Sequence, residues 1–156
     1  MTRINIIDPN YLTDQHLVAE IKEINQLSGS FRKSLNSKNG IIKSKIPKDF
    51  RLNSGHVYFF YDKGLYLKNR FYQLKEHAIS RGMNITAEFN NEWHNAPQFY
   101  NDWQPSNRDI KIIVNRISEK IDMKPNWYKY YKRNIYPDVY KDVLNNLCIR
   151  DFKEAV

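Results

Sequence analysis

Apolar side chains recur every three or four residues through one early stretch of this 156-residue chain, and that spacing most constrains the fold. The stretch follows Thr13, a suitable N-cap residue, and Asp14, whose negative charge suits the first turn of a helix. Its apolar residues are Leu17, Ile21, Ile24, Phe31 and Leu35. Such residues lie on one face of an α-helix. The pattern predicts a first helix that ends near residues 36–40 and buries one face.

The same spacing predicts further helices. One carries Leu67, Phe71, Leu74 and Ala78 and stops at Arg81-Gly82, a typical C-terminal signal. Another begins at the capping-box pair Ser106 and Asp109, ends before Pro125 and has an apolar face made of Ile110, Ile113, Val114, Ile117 and Ile121. A short amphipathic C-terminal helix is expected from Val139, Val143, Leu144 and Leu147. We therefore expect an all-α, compact single domain of three main helices with long loops and a short C-terminal helical extension.

The segments between these helices are harder to interpret. In the stretch GHVYFFYDK at Gly55–Lys63, the apolar residues Val57, Phe59 and Phe60 are core candidates. Asp62 is a candidate cap for the next helix, and His56 is interpreted as a structural histidine. Residues 84–107 hold Trp93 and other aromatics among Asn and Pro, so they are expected to form an aromatic loop over the helices.

The charge balance indicates an anionic partner. Lysine and arginine number 25 against 17 acidic residues, which gives a net charge of +8, and the pI is about 9.5. Nucleic acid is the commonest partner of such a chain. The segment WYKYYKRNIY at residues 127–136 mixes aromatic rings with cations, as base stacking and phosphate contact require. Two alternatives stay open: an ordinary basic protein of the ribosomal type, and an aromatic cap over the helix ends.

Other features exclude several classes of protein. The single cysteine, Cys148, excludes an intramolecular disulfide and a cysteine-based zinc cluster. The first residues include Arg3 and Asp8 and lack the apolar stretch of a secretory signal. No apolar run approaches the length of a membrane span. We expect a cytoplasmic protein with no membrane partner.

The N-terminal amine is a candidate nucleophile. Removal of Met1 is expected because Thr2 is small, and the α-amine of Thr2 would then have a reference pKa of about 7.7–8.0, against about 10.4 for lysine. Arg3 and Lys22, if close, would lower it further by repulsion. A neutral amine can form a Schiff base with a sugar carbon, and Glu23, placed off the apolar stripe, offers a carboxylate. On these residues alone, an ordinary N-terminus and a solvated glutamate remain the simpler interpretation.

Three separated blocks of the sequence form a recognisable pattern. The first comprises MTRIN at the N-terminus, DQHL at Asp14–Leu17, AE at Ala19–Glu20, and Glu23. The second is GHVYFFYDK at Gly55–Lys63, and the third is WYKYY at Trp127–Tyr131 followed by IY at Ile135–Tyr136. Together they resemble the phage pyrimidine-dimer DNA glycosylases, the endonuclease V family. The resemblance implies a family-like domain over residues 1–136 and a helical extension over residues 137–156 that packs on the same domain.

The resemblance also implies a chemistry. Family members are all-helical, place the N-terminus between their first two helices, and act as DNA glycosylases with abasic-site lyase activity without metal or cofactor. By position, the Thr2 amine would attack the sugar of the 5′ pyrimidine, and Glu23 would stabilise the cationic sugar and assist β-elimination. The partner would be damaged double-stranded DNA, bent and with a base flipped out opposite the lesion, and the protein would be a monomer in the host-cell cytoplasm. The residues expected to contact DNA are Arg3, Lys22, Gln26, Arg116, Lys120, Trp127, Tyr128, Lys129, Tyr130 and Tyr131.

The chain also departs from the family pattern. Lys22 and Gln26 stand where arginines are usual, and the loop at 84–107 and the tail differ. Three hypotheses follow: a pyrimidine-dimer glycosylase and lyase, the same mechanism on another modified base, or a non-catalytic basic DNA-binding module. The presence of both Thr2 and Glu23 argues against the third, since phosphate binding requires neither.

Overall fold

The structure is a computed structural model that describes residues 4–154, with side chains described as far as residue 148. Its helices are α1 (Asp14–Leu35), α2 (His56–Phe59), α3 (Gly64–Ser80), α4 (Asn107–Met123) and α5 (Pro137–Glu154). A small antiparallel hairpin pairs β1 (Lys129–Tyr130) with β2 (Arg133–Asn134). The all-α prediction is confirmed, and α1, α3 and α4 are the three main helices that it named.

The chain forms two structural units. One contains the described residues up to Glu20 and those from Pro105 onward, and the other contains Ile21–Gln104. α1 contributes its first turns to the former and the rest to the latter. α5 has 18 residues, one more than α4, so the C-terminal helix is longer than its apolar positions indicated. The division at residues 136 and 137 stays a prediction. In the part of the chain that the structure describes, no helix has the length and apolarity needed to cross a membrane.

The first unit is built around α4 and α5, which pack on each other. The predicted capping box is present: Asp109 N donates to Ser106 Oγ at 3.3 Å, and Ser106 N donates to Asp109 Oδ2 at 2.9 Å. The α4 stripe is buried at Ile113, Val114, Ile117 and Ile121, as is Leu144 of α5. An exposed ion pair of 2.7 Å also joins Lys141 to Asp122.

α1 has the predicted boundaries but is covered on more than one face. Thr13 caps the helix, because its Oγ1 accepts a hydrogen bond from His16 N at 3.1 Å. The apolar stripe is buried from Leu17 to Phe31, with Leu35 half-buried. Glu20, Glu23, Leu27 and Ser28 are buried as well. The single buried face predicted from periodicity was therefore too narrow.

The second unit packs α3 and the aromatic loop around the later turns of α1. Phe31 of α1 stacks on Trp93, with ring centroids 4.3 Å apart. Trp93 Nε1 donates to the carbonyl of Tyr61 at 2.9 Å, so the buried indole nitrogen has a partner. A Cβ on Gly64 would lie 2.5 Å from the Trp93 ring, so this close approach needs glycine. The aromatic loop over the helices is present as predicted.

The GHVYFFYDK stretch forms α2 and a following 3-10 turn. Gly55 adopts φ 87°, a conformation that favours glycine, directly before α2. His56 is buried and its Nδ1 bonds to the carbonyl of Arg51 at 2.8 Å, in agreement with a structural role. Phe59 and Phe60 are buried, but Val57 is half-buried. The proposed cap was wrong: Asp62 pairs with Lys63 Nζ at 2.6 Å, and α3 has no side-chain cap at its start.

Candidate functional site

The segment that leads from the N-terminus is fixed to α1. Thr2 and Arg3 lie outside the described residues. Three positions after Thr2, the backbone N–H of Asn5 donates to Glu20 Oε1 at 3.0 Å, and both residues are fully buried. Glu20 belongs to the AE block of the resemblance, but no role was predicted for it. It anchors the chain that follows the candidate nucleophile.

This segment also holds an unfavourable backbone conformation. Ile6 has φ 51°, which is rare for a β-branched residue. Such a conformation costs on the order of 1–3 kcal/mol and persists only where the surroundings impose it. Ile4, Ile6 and Ile7 are all buried, so packing fixes the segment. Asn5 Oδ1 is buried and has no hydrogen-bond partner among the described residues. Strain and an unsatisfied polar atom so close to the N-terminus favour a functional role for the segment.

Glu23 is a buried carboxylate in the second unit. Its side chain is 5% exposed, whereas its position off the apolar stripe had led us to place it outside the core. The helical period locates the apolar stripe but does not show what covers the other faces. A buried carboxylate is costly for a protein to keep, so such positions are enriched at functional sites.

Lys22 and Gln26 flank Glu23 on the outside of α1. Both are exposed, and their spacing of four residues places them one turn apart on the same face. Between them, Asn25 fixes the aromatic loop: its Nδ2 donates to the carbonyl of Glu88 at 3.0 Å, and Asn90 N donates to its Oδ1 at 2.9 Å. The exposed flank therefore lies beside an ordered loop.

In the first unit, the start of α1 holds the aromatic segment. Gln15 Nε2 donates to the carbonyl of Trp127 at 2.8 Å, and Lys129 N donates to Gln15 Oε1 at 2.9 Å. The backbone of the segment is thus fixed by one side chain. The hairpin was not predicted, although the residues that hold it belong to the DQHL block.

The predicted DNA-contacting aromatics differ in exposure. Trp127 is 51% exposed, Tyr130 36% and Tyr131 44%, so these rings are accessible. Tyr128 is buried, and burial raises the pKa of its hydroxyl. Its ring stacks on His16 at a centroid distance of 4.7 Å and an angle of 9°. Tyr128 is therefore an internal support for the segment in this structure.

His16 is uncharged at neutral pH. Burial first, and the positive charge of Lys120 second, lower its pKa from 6.5 to about 4. Its Nδ1 lies 2.7 Å from the Thr13 hydroxyl, to which it is hydrogen-bonded. A neutral imidazole here avoids repulsion with Lys120.

A cationic cleft of about 260 Å³ lies beside His16. Lys120 and Lys124 of the α4 end line it together with Trp127, and Lys124 Nζ lies 5.1 Å from the centre of the Trp127 ring. Arg116, one turn before Lys120, is paired with Glu119 at 3.7 Å. Cations beside an exposed ring can bind a phosphate and a base together. No group of three or more potential metal ligands occurs within residues 4–148.

Comparison with known families identifies the chain. A family model described as pyrimidine dimer DNA glycosylase matches residues 1–91, more than half of the 156 residues. The matched part contains five of the predicted site residues: Thr2, Arg3, Lys22, Glu23 and Gln26. It also contains the Asn5–Glu20 anchor and the GHVYFFYDK stretch. The chain belongs to the pyrimidine dimer DNA glycosylase family.

Proposed function

We propose that this DNA glycosylase acts at UV-induced pyrimidine dimers through the α-amine of Thr2 and then nicks the strand as an abasic-site lyase. The observation that carries the proposal is the family match, which includes both Thr2 and Glu23. A module that only bound DNA would need cations and aromatic rings but neither of these residues. The anchored segment after Thr2 supports it as well, because a nucleophile must be held in place to react.

In the first step, the neutral nitrogen of Thr2 donates its electron pair to C1′ of the 5′ pyrimidine's deoxyribose. The C1′–N glycosidic bond breaks, and the departing base takes that electron pair and a proton. The amine gives up its protons, one to the departing base and one to O4′, which keeps the electron pair of the C1′–O4′ bond as the ring opens. A Schiff base between the sugar and the protein is left. Positive charge develops on the sugar, and the carboxylate of Glu23 stabilises it.

In the second step, a base removes a proton from C2′, and Glu23 is our candidate for this role. The electron pair forms a C2′=C3′ double bond while the C3′–O3′ bond breaks, so the strand is cut on the 3′ side of the sugar. Water then hydrolyses the imine and restores the amine. The burial of Glu23 supports the assignment, because a charge interacts more strongly with its surroundings when water is excluded.

The decisive experiment is borohydride trapping on duplexes that carry a cyclobutane dimer or an abasic site. Reduction of the Schiff base should leave a covalent adduct that maps to the N-terminal peptide starting at Thr2. Chemical methylation of the N-terminus should abolish it, while replacement of Lys111, an exposed α4 lysine, should not. An adduct that maps to a lysine side chain would reject the assignment.

DNA binding is proposed to use Arg3 and Lys22 near the N-terminus and Arg116 and Lys120 on α4. Each phosphate contact removed should reduce the slope of log affinity against log salt by about 0.9. The quadruple neutral variant should therefore show a much shallower slope on undamaged duplex, with Lys111→Gln as a one-charge control. An unchanged slope in the quadruple variant would place the DNA surface elsewhere.

A second candidate function is the same mechanism on a different modified base. Gln26 is exposed beside Lys22 and supplies no cation where the resemblance expects an arginine. The borohydride trapping experiment distinguishes the two candidate functions if duplexes with other modified bases are included. Faster trapping on one of them than on the dimer would favour this candidate.

A further inference from the structure

A groove of about 600 Å³ lies between the β1–β2 hairpin and α5 in the first unit. Its size falls within the range of roughly 300–1,000 Å³ that is usual for small-molecule sites. Four tyrosines line it, Tyr11, Tyr130, Tyr136 and Tyr140, and Arg133 is the single charged residue among the described residues of the lining. Only Tyr130 among these was assigned to DNA contact above.

Two of the rings are fixed by hydrogen bonds to the backbone before α1. Tyr130 donates its hydroxyl to the carbonyl of Asn10 at 2.8 Å, and Tyr140 donates its hydroxyl to the carbonyl of Tyr11. Their hydroxyls are thus satisfied at the protein backbone, and the rings are held as walls of the groove. Such pre-organisation lowers the entropic cost of binding a ligand.

The other side of the groove exposes apolar surface. Tyr136 is 80% exposed, Val139 62% and Val143 39%. Apolar side chains grouped in this way mark binding surfaces more often than isolated ones do. These three residues lie beyond residue 91, outside the segment that matches the family. This side of the groove is therefore formed by Tyr136 and α5.

We propose that this groove binds an unpaired nucleotide of DNA, with its base against the tyrosines and its phosphate at Arg133. Aromatic rings stack on any base, and arginine binds phosphate through two parallel hydrogen bonds. The described lining residues include no carboxylate that would repel a phosphate. The groove also suits a nucleotide better than a protein. A stable protein complex would need roughly 1,200–2,000 Å² of buried surface, which a groove of this size does not provide.

The proposal rests on DNA as the substrate and is independent of the chemistry at Thr2. It predicts that the protein binds single-stranded DNA and that this affinity does not depend on damage to the DNA. Such a site would hold a strand where the duplex is open, including the strand end that β-elimination leaves.

The test measures binding of labelled single-stranded oligothymidylate by fluorescence anisotropy. Tyr136→Ala should weaken binding by at least about 5-fold, the lower end of what one stacked base contributes. Arg133→Ala should weaken it by at least about 5-fold as well, because a hydrogen bond to a charged phosphate is lost. Arg133→Ala should also reduce the salt slope by about 0.7. The matched controls are Tyr72→Ala, which removes another exposed tyrosine, and Lys111→Ala, which removes another exposed cation. Both should retain the affinity, and thermal unfolding checks that all four variants fold.

Unchanged affinity in Tyr136→Ala and Arg133→Ala overturns the proposal. Sedimentation of the full chain adds a second test. If the protein sediments as a dimer, and Val139→Asp disrupts the dimer without changing the affinity for oligothymidylate, the groove binds a second copy of the chain and the proposal is overturned. Failure of borohydride trapping in the unmodified protein would reject the Thr2 mechanism but would not affect this binding assay. The two proposals can therefore fail separately.

Discussion

The carboxylate of Asp14 accepts a hydrogen bond from the backbone N–H of Lys132 at 2.8 Å, across 118 positions of sequence. Its other oxygen accepts one from Tyr131 N at 3.1 Å. Tyr131 and Lys132 form the hairpin turn with φ values of 51° and 66°, and Asn and Gly are the residues that usually adopt this geometry. The first residue of α1 thus stabilises the strained turn that shapes the aromatic segment.

Asp14→Ala should destabilise the first unit by about 1–3 kcal/mol, because two N–H groups lose their acceptor while the strained turn remains. Lys132→Gly should recover part of that loss in the double variant, since glycine adopts positive φ without strain. Denaturant unfolding of both single variants and the double variant measures the coupling. Glu119→Ala removes an exposed carboxylate as a control. A double variant no more stable than Asp14→Ala would show that the turn carries no strain.

The buried His16 should make stability depend on pH. Its pKa is lowered from 6.5 to about 4, so between these values the unfolded chain binds a proton that the folded protein does not. The free energy of unfolding should therefore fall as pH decreases from about 7 to about 4, by roughly 3 kcal/mol from this residue. Urea unfolding across that range should show a smaller decrease for His16→Phe, which keeps the stack on Tyr128. The exposed His94→Gln should keep the wild-type pH dependence; if His16→Phe keeps it as well, His16 is not its source.

Two glycines provide opposite tests of packing. Gly64→Ala should destabilise the protein by about 1–3 kcal/mol, because the added methyl meets the buried Trp93 ring at 2.5 Å. Gly29, inside α1, has nothing within 4 Å of an added Cβ, so Gly29→Ala should stabilise by up to about 1 kcal/mol. Thermal unfolding of both variants measures the two changes in stability. Equal effects would mean that the contact of Gly64 with Trp93 is not tight.

Sequence reasoning predicted the parts of the fold that depend on local signals. The capping box at Ser106 and the stop at Gly82 act within one helical turn, and both were located correctly. The hairpin was missed because its turn lacks glycine and depends on Asp14, far away in sequence. Trp93 could be expected to pack, but its partners Phe31 and Gly64 follow no sequence period.

The candidate site shows the same limits. Thr2 and Glu23 are weak signals by themselves and were selected through resemblance. Periodicity placed Glu23 off the apolar stripe, and it could not show that other parts of the chain cover it. The anchoring role of Glu20 needed the position of Asn5 N, which no sequence pattern gives.

Glu23→Gln is the most direct test of the proposed chemistry. The two side chains have nearly the same shape, which matters because the position is buried. Glutamine removes the negative charge that the cationic sugar and the C2′ proton abstraction both need. Strand cleavage should fall at least 10²-fold, the usual lower estimate for loss of a general base. Affinity for lesion DNA should be kept or improved, since the variant lacks the negative charge that we propose to lie beside the bound sugar.

The three quantities should be measured on one preparation of Glu23→Gln: thermal unfolding, lesion-DNA affinity and strand cleavage. The control is Glu76→Gln, which makes the same chemical change at an exposed position on α3 and should leave cleavage intact. If Glu23→Gln unfolds near the wild-type temperature and still cleaves at a near-normal rate, Glu23 is not catalytic. The carboxylate would then be a buried structural group of α1, and the base for β-elimination would have to be sought among other residues.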